Sequence, residues 1–120
     1  MSPIQNIEKV AAQSVNIRNL IGEQILQTPC LATRESFPNE TRVYLKTENF
    51  QHTGSWISRG AISQLKHISR DSALITASSG NHGIACSHAA MVTGHNLTVV
   101  LPENVAKSKL AKINSYGVST

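Results

Sequence analysis

The chain has 120 residues, of which 40% are hydrophobic, 15% charged and 4% aromatic. That is one ordinary domain at most, and the composition is globular rather than disordered. The net charge is +4, from 11 basic against 7 acidic side chains, and with so few aromatics and no basic–aromatic stripe the chain does not read as nucleic-acid-binding.

Apolar residues at Ile4, Ile7, Val10, Ala11, Val15, Ile17, Leu20, Ile21 and Ile25 recur in steps of three and four. That spacing predicts an amphipathic helix over 4–26, broken near 14–16. Ser2 is its cap and Pro3 its first-turn proline. Gln27-Thr28-Pro29 stops it, because proline cannot continue the hydrogen-bond ladder. Pro38-Asn39-Glu40 is a turn, and Val43-Tyr44-Leu45 is a short strand. Thr53-Gly54-Ser55 supplies flexible backbone and caps for a helix over 56–68. Residues 73–76 are a second strand. A helix over 81–92 carries Gly83, Ala85, Ala89 and Ala90, small enough to pack close to a sheet. Residues 97–101 are continuously apolar, as in a strand covered on both faces. A helix over 105–115 follows, ended by Tyr116-Gly117, and Val118-Ser119-Thr120 opens a fourth strand.

The order β-α-β-α-β-α-β predicts an α/β fold with a parallel sheet, flanking helices and right-handed crossovers. Residues 1–40 form a leading helix and segment, and residues 41–120 an incomplete parallel α/β unit.

Two segments carry chemistry. Ser78-Ser79-Gly80-Asn81-His82-Gly83 lies between a strand and a helix, where free N–H groups and the positive end of a helix dipole suit a carboxylate or phosphate. Gly80 is expected to permit a tight turn there. From spacing alone, a capped turn with no ligand is the favoured reading. The other segment is Thr53-Gly54-Ser55-Trp56-Ile57-Ser58-Arg59-Gly60-Ala61.

Together the two segments resemble the active site of the threonine/serine dehydratases and serine racemases, fold type II enzymes dependent on pyridoxal phosphate (PLP). Thr28-Pro29-Cys30-Leu31 and Lys46-Thr47-Glu48 also resemble family segments. The resemblance runs from about Val15 to Tyr116, the first portion of a family member, and implies the small domain of that fold. It implies PLP as cofactor and a small amino acid as substrate. In the family pattern, Thr/Gly-Ser-Phe-Lys-x-Arg-Gly-Ala, the lysine carries PLP as a Schiff base. Here Ile57 occupies that position. A Schiff base needs a primary amine, and the same amine would move the substrate's α-proton. Isoleucine can do neither, so no residue of this chain is assigned a catalytic role.

By the same resemblance, Ser55, Ser78, Ser79, Gly80, Asn81 and His82 face the substrate, and Trp56 and Asn81 the cofactor. Trp56 either fills a pocket that PLP would occupy or is a core aromatic. Arg59 matches an arginine that positions rather than reacts. Lys46 is the nearest alternative amine, read as a salt-bridged lysine at a sheet end. The family's glycine-rich phosphate loop has no counterpart here. The implied reading is a chain of dehydratase descent, inactive alone. The competing reading is an interaction module that associates with a full-length relative or another copy through exposed interdomain surface.

The remaining features are plainer. Five histidines and two cysteines give no zinc spacing, although His82 and Cys86 share a helix face; no metal is expected. Cys30 and Cys86 read as small apolar residues in a reducing compartment. Lys107, Lys109 and Lys112 read as a solvated helix face. No signal peptide and no apolar run of roughly 18 residues is visible, so the expectation is a cytoplasmic chain without a membrane span.

Overall fold

The computed structural model describes the backbone of residues 3–35 and 37–120, and side chains from Asn6 onward except Ser36. Helix α1 spans Pro3–Ile21; the proposed Ser2 cap lies outside the described residues. The break expected near 14–16 is not there. The Ser14 hydroxyl donates to the Val10 carbonyl at 2.9 Å, which satisfies the polar side chain within the helix. Among the described residues of the apolar stripe Ile21 is buried in the core and Ile25 packs against it, while Ile7, Val10, Val15, Ile17 and Leu20 remain exposed.

Strand β1 (Cys30–Ala32) pairs with β2 (Tyr44–Lys46) in antiparallel fashion, with Leu31 opposite Leu45. This corrects the expectation that the strand at 43–45 opens the parallel sheet. Its partner has three residues, too few to show a period, so it is invisible to pattern reading. The turn between them holds Asn39 and Glu40 at φ 57° and 55°, a left-handed bend that asparagine tolerates better than most residues.

The rest of the chain follows the expected alternation. Helix α2 is Ile57–Leu65, β3 is Ala73–Ala77, α3 is Asn81–Thr93, β4 is Asn96–Val100 and α4 is Lys107–Asn114. Strands β3 and β4 are parallel, in register from Ala73 opposite Asn96 to Ala77 opposite Val100. A single parallel bridge, Thr98 opposite Ser119, follows where the fourth strand is expected. The Val99 N–H donates to the Ser119 carbonyl at 2.8 Å, and the Ser119 N–H to the Leu97 carbonyl at 3.0 Å.

The core joins α2, α3, β4 and α4 through Ile62, Ala85, Ala89, Val99 and Ile113, with Ile21 at its edge. Small residues on α3 let α2 pack closely along it. Gly94 ends α3 at φ 75°, donating its N–H to the Ala90 carbonyl at 2.9 Å, the left-handed cap for which glycine is suited. One expectation about the sheet is not met: β4 is covered on one face only. Leu97 and Val99 are buried, whereas Thr98 and Val100 face outward beside an exposed Ile75. The described helices pack on a single side, so the apolar run in β4 does not signal two covered faces here.

Candidate functional site

Two turns carry the residues singled out above. The first leads into α2. Gln51 is buried, and its amide clasps Leu26 in both directions, donating to the carbonyl at 2.7 Å and accepting from the N–H at 2.9 Å. The Gly54 N–H donates to the Gln51 carbonyl at 2.8 Å, with Gly54 at φ 77°. Only glycine takes this conformation without strain. Ser55 is buried, and its carbonyl accepts from the Ser58 hydroxyl at 3.1 Å. Trp56 is 66% exposed, so it is not the core aromatic that was one of its two readings. Ile57 is half-buried and packs on the core.

The second turn links β3 to α3. The Ser78 hydroxyl accepts from the Gly80 N–H at 3.2 Å. Gly80 has φ −96° and ψ −162°, extended backbone open to any residue, and a Cβ there would meet only the Ser78 hydroxyl at 3.8 Å. The required glycine is instead Gly83, where a Cβ would lie 2.0 Å from the Ser78 carbonyl oxygen. Asn81 and His82 are exposed, while Ser78, Ser79 and Gly80 are half-buried. No side chain caps α3. Its first-turn N–H groups therefore lack a side-chain partner and carry the partial positive charge of a helix start.

His82 Nε2 lies 3.4 Å from Cys86 Sγ, so the expected shared face is real. Burial raises the Cys86 thiol pKa, which keeps it protonated rather than reactive. Among the described residues no three potential metal ligands cluster.

The sequence reading did not foresee how much Glu48 gathers. It accepts from Arg59 Nε at 2.6 Å and Nη2 at 2.9 Å, from the Thr28 hydroxyl, and from the Gln51 amide at 3.3 Å. Lys46 Nζ lies 3.2 Å from the same carboxylate and also donates to Thr28. Lys46 is thus salt-bridged at a sheet end, and Arg59 positions α2. The signal available in the sequence was the spacing of Lys46, Glu48 and Arg59, which does not by itself imply contact. The structure brings Ser55, Trp56 and Ile57 together on one turn and Ser78 to His82 on the other. No hydrogen bond joins the two turns among the described residues; the packing of α2 on α3 relates them.

Each of the two turns opens a helix, and those helices, α2 and α3, pack against each other. Residues 21–120 match the family described as "Pyridoxal-phosphate dependent enzyme", and the chain belongs to that family. It is 37% identical over 106 residues to a putative threonine dehydratase of Sinorhizobium fredii, covering 85% of this chain and 32% of that protein. Among solved structures it is similar to serine racemase from Dictyostelium discoideum, with TM-score 0.74, 34% identity and coverage of 87% of this chain and 36% of that one. It is also similar to the T.th. threonine deaminase, with TM-score 0.74, 32% identity and coverage of 88% and 34%. The chain thus spans about a third of the length of these relatives. No described helix is long and apolar enough to cross a membrane.

Proposed function

We propose that the chain is the small-domain portion of a threonine/serine dehydratase-like protein and that it does not itself catalyse PLP chemistry. The observation that carries this reading is Ile57. It opens α2 directly after Ser55 and Trp56, half-buried against the core, at the position the family resemblance gives to the lysine. The donor set does not fit covalently held PLP. Ile57 has no nitrogen, and the Lys46 ammonium is occupied by Glu48 and Thr28.

What the residues retain is a place for a small amino acid. The uncapped amides at the start of α3, with Ser78, Ser79, Gly80, Asn81 and His82 around them, suit its carboxylate. Two unpaired thiols, Cys30 and Cys86, support a cytoplasmic setting.

The test is to incubate the purified chain with PLP, reduce with borohydride and map pyridoxyl-lysine by mass spectrometry, with Ile57→Lys alongside. The expected result is no specific adduct on the native chain and one at position 57 in the variant. A single specific adduct on the native chain, at Lys46 for example, would overturn the reading.

A second reading is an interaction module, and the exposed outer face of β3 and β4 favours it. Ile75 is 74% exposed and Val100 50% exposed, the kind of apolar surface that partners cover. Sedimentation velocity separates the two readings: concentration-dependent self-association supports the module, and a monomer at all concentrations, alone and with a full-length relative, counts against it.

A further inference from the structure

His88 lies in the middle of α3 and is 5% exposed. Its ring stacks on His52, with centroids 5.5 Å apart and planes at 27°. It also meets the Tyr116 ring edge-on, at 5.5 Å and 73°. His52 belongs to the turn that leads to Ser55 and Ile57, and Tyr116 to the end of α4. One buried ring therefore touches both segments from α3.

The polar atoms at this junction are not paired. His88 Nδ1 and the Tyr116 hydroxyl are buried with no hydrogen-bond partner. The Lys112 ammonium sits 5.2 Å from the Tyr116 ring centre. The groups facing His88 are His52 from the turn, and Tyr116 and Lys112 from α4. Neither carboxylate ion pair among the described residues involves His88. A neutral imidazole suits this place, since Nδ1 is then a bare acceptor. A proton on Nδ1 would bury an unpaired donor and a positive charge beside His52 and Lys112, whose charged forms are cationic.

We propose that His88 is a pH-dependent latch, which fastens the 51–56 turn and the Tyr116 end of α4 to α3 when neutral and releases them when protonated. Burial first, then the His52 and Lys112 charges, holds the His88 pKa below the ordinary histidine value. Protonation therefore comes late on acidification, and the segment it frees carries Ser55 and Trp56. The site built on Ile57 and its neighbours loosens in acid without the core having to unfold.

Trp56 is the chain's single tryptophan and lies in the released segment, so it reports the event. The experiment follows Trp56 fluorescence, far-UV circular dichroism and the imidazole NMR signals of all five histidines through one pH titration. The expected result is that His88 protonates below the ordinary histidine value. Trp56 emission and the amide signals of residues 51–56 should change with the same midpoint, while helical dichroism stays constant. In His88→Phe, which keeps a ring but cannot titrate, that fluorescence transition should be lost. The latch is overturned by any of three results: His88 titrating at or above the ordinary histidine value, the Trp56 transition persisting in His88→Phe, or helical signal disappearing at the same midpoint. If His88→Phe does not fold, the wild-type titration decides alone. Coinciding His88 and Trp56 midpoints support the latch and separate ones overturn it.

Discussion

Arg59 grips both carboxylate oxygens of Glu48, Nε to Oε2 at 2.6 Å and Nη2 to Oε1 at 2.9 Å. This two-point contact joins α2 to the turn after β2, and Thr28, Lys46 and Gln51 converge on the same carboxylate. One side chain thus ties the leading segment, the hairpin and the helix that begins at Ile57.

Replacing Glu48 by Gln removes the charge and leaves Arg59 and Lys46 without their counterion. With Glu48 only 14% exposed, the expected cost is about 2–3 kcal/mol in urea unfolding at neutral pH. Arg59→Lys should fall between wild type and that variant, because an ammonium cannot reproduce the fork. The Arg59 hydrogen bond, together with those from Thr28 and Lys46, holds the Glu48 carboxyl well below the usual carboxylate range despite burial. A depressed carboxyl pKa contributes stability above the ordinary carboxylate value, and that contribution is lost as pH falls toward the folded-state value. The urea midpoint of wild type should therefore drop more steeply below about pH 4 than that of Glu48→Gln. Parallel acid slopes for the two proteins would remove Glu48 from the account.

The two glycines of the β3–α3 turn should behave oppositely. A methyl group at Gly83 would sit 2.0 Å from a backbone oxygen, which cannot swing aside as a side chain would. Gly83→Ala is expected to cost about 3 kcal/mol, with shifted amide signals through residues 78–84. Gly80→Ala should stay within about 1 kcal/mol, since its backbone is extended and the space is open. Urea unfolding and an amide correlation spectrum check both. Equal costs would mean that the turn is built differently in solution.

Much of this architecture is legible in the sequence because its elements are long or strongly punctuated. Residues 73–76 and 97–101 announce themselves as apolar runs between turn residues, and α3 by its small residues. The failures have local causes. Cys30–Ala32 is too short to show alternation, so the antiparallel pairing of Tyr44–Lys46 is hidden. Ser14-Val15-Asn16 looks like a break because serine, β-branched valine and asparagine are weak helix formers, but the Ser14 back-bond to Val10 absorbs the cost. The site was half visible. Ser78 to Gly83 could be found by its composition, yet composition did not say which glycine the geometry needs. The junction of Glu48 with Arg59 and that of His88 with His52 and Tyr116 depend on contacts between distant segments, which no local pattern encodes.

Ile57 should itself contribute stability. It packs half-buried on the core at the start of α2, where an ammonium would have to be desolvated or turned outward. Ile57→Lys is expected to lower stability by about 1–2 kcal/mol in urea unfolding at neutral pH, with helical dichroism retained. A gain in stability would show that position 57 is better suited to a lysine than this packing implies.

The uncovered face of the sheet gives a matched pair of isoleucines. Ile62 on α2 has no exposure, whereas Ile75 on β3 points outward and is largely exposed. Truncation at Ile62 leaves a cavity in the buried core cluster, so Ile62→Ala should cost about 3–4 kcal/mol. Ile75→Ala removes atoms that already face water and should change the unfolding free energy by less than about 0.5 kcal/mol. The comparison is best made at low protein concentration by urea titration, then repeated at high concentration. A cost at Ile75 that appears only at high concentration would show that association covers this face, as the interaction-module reading requires. A large cost at both concentrations would mean that part of this chain already covers Ile75 in solution, against the one-sided packing of β3 and β4.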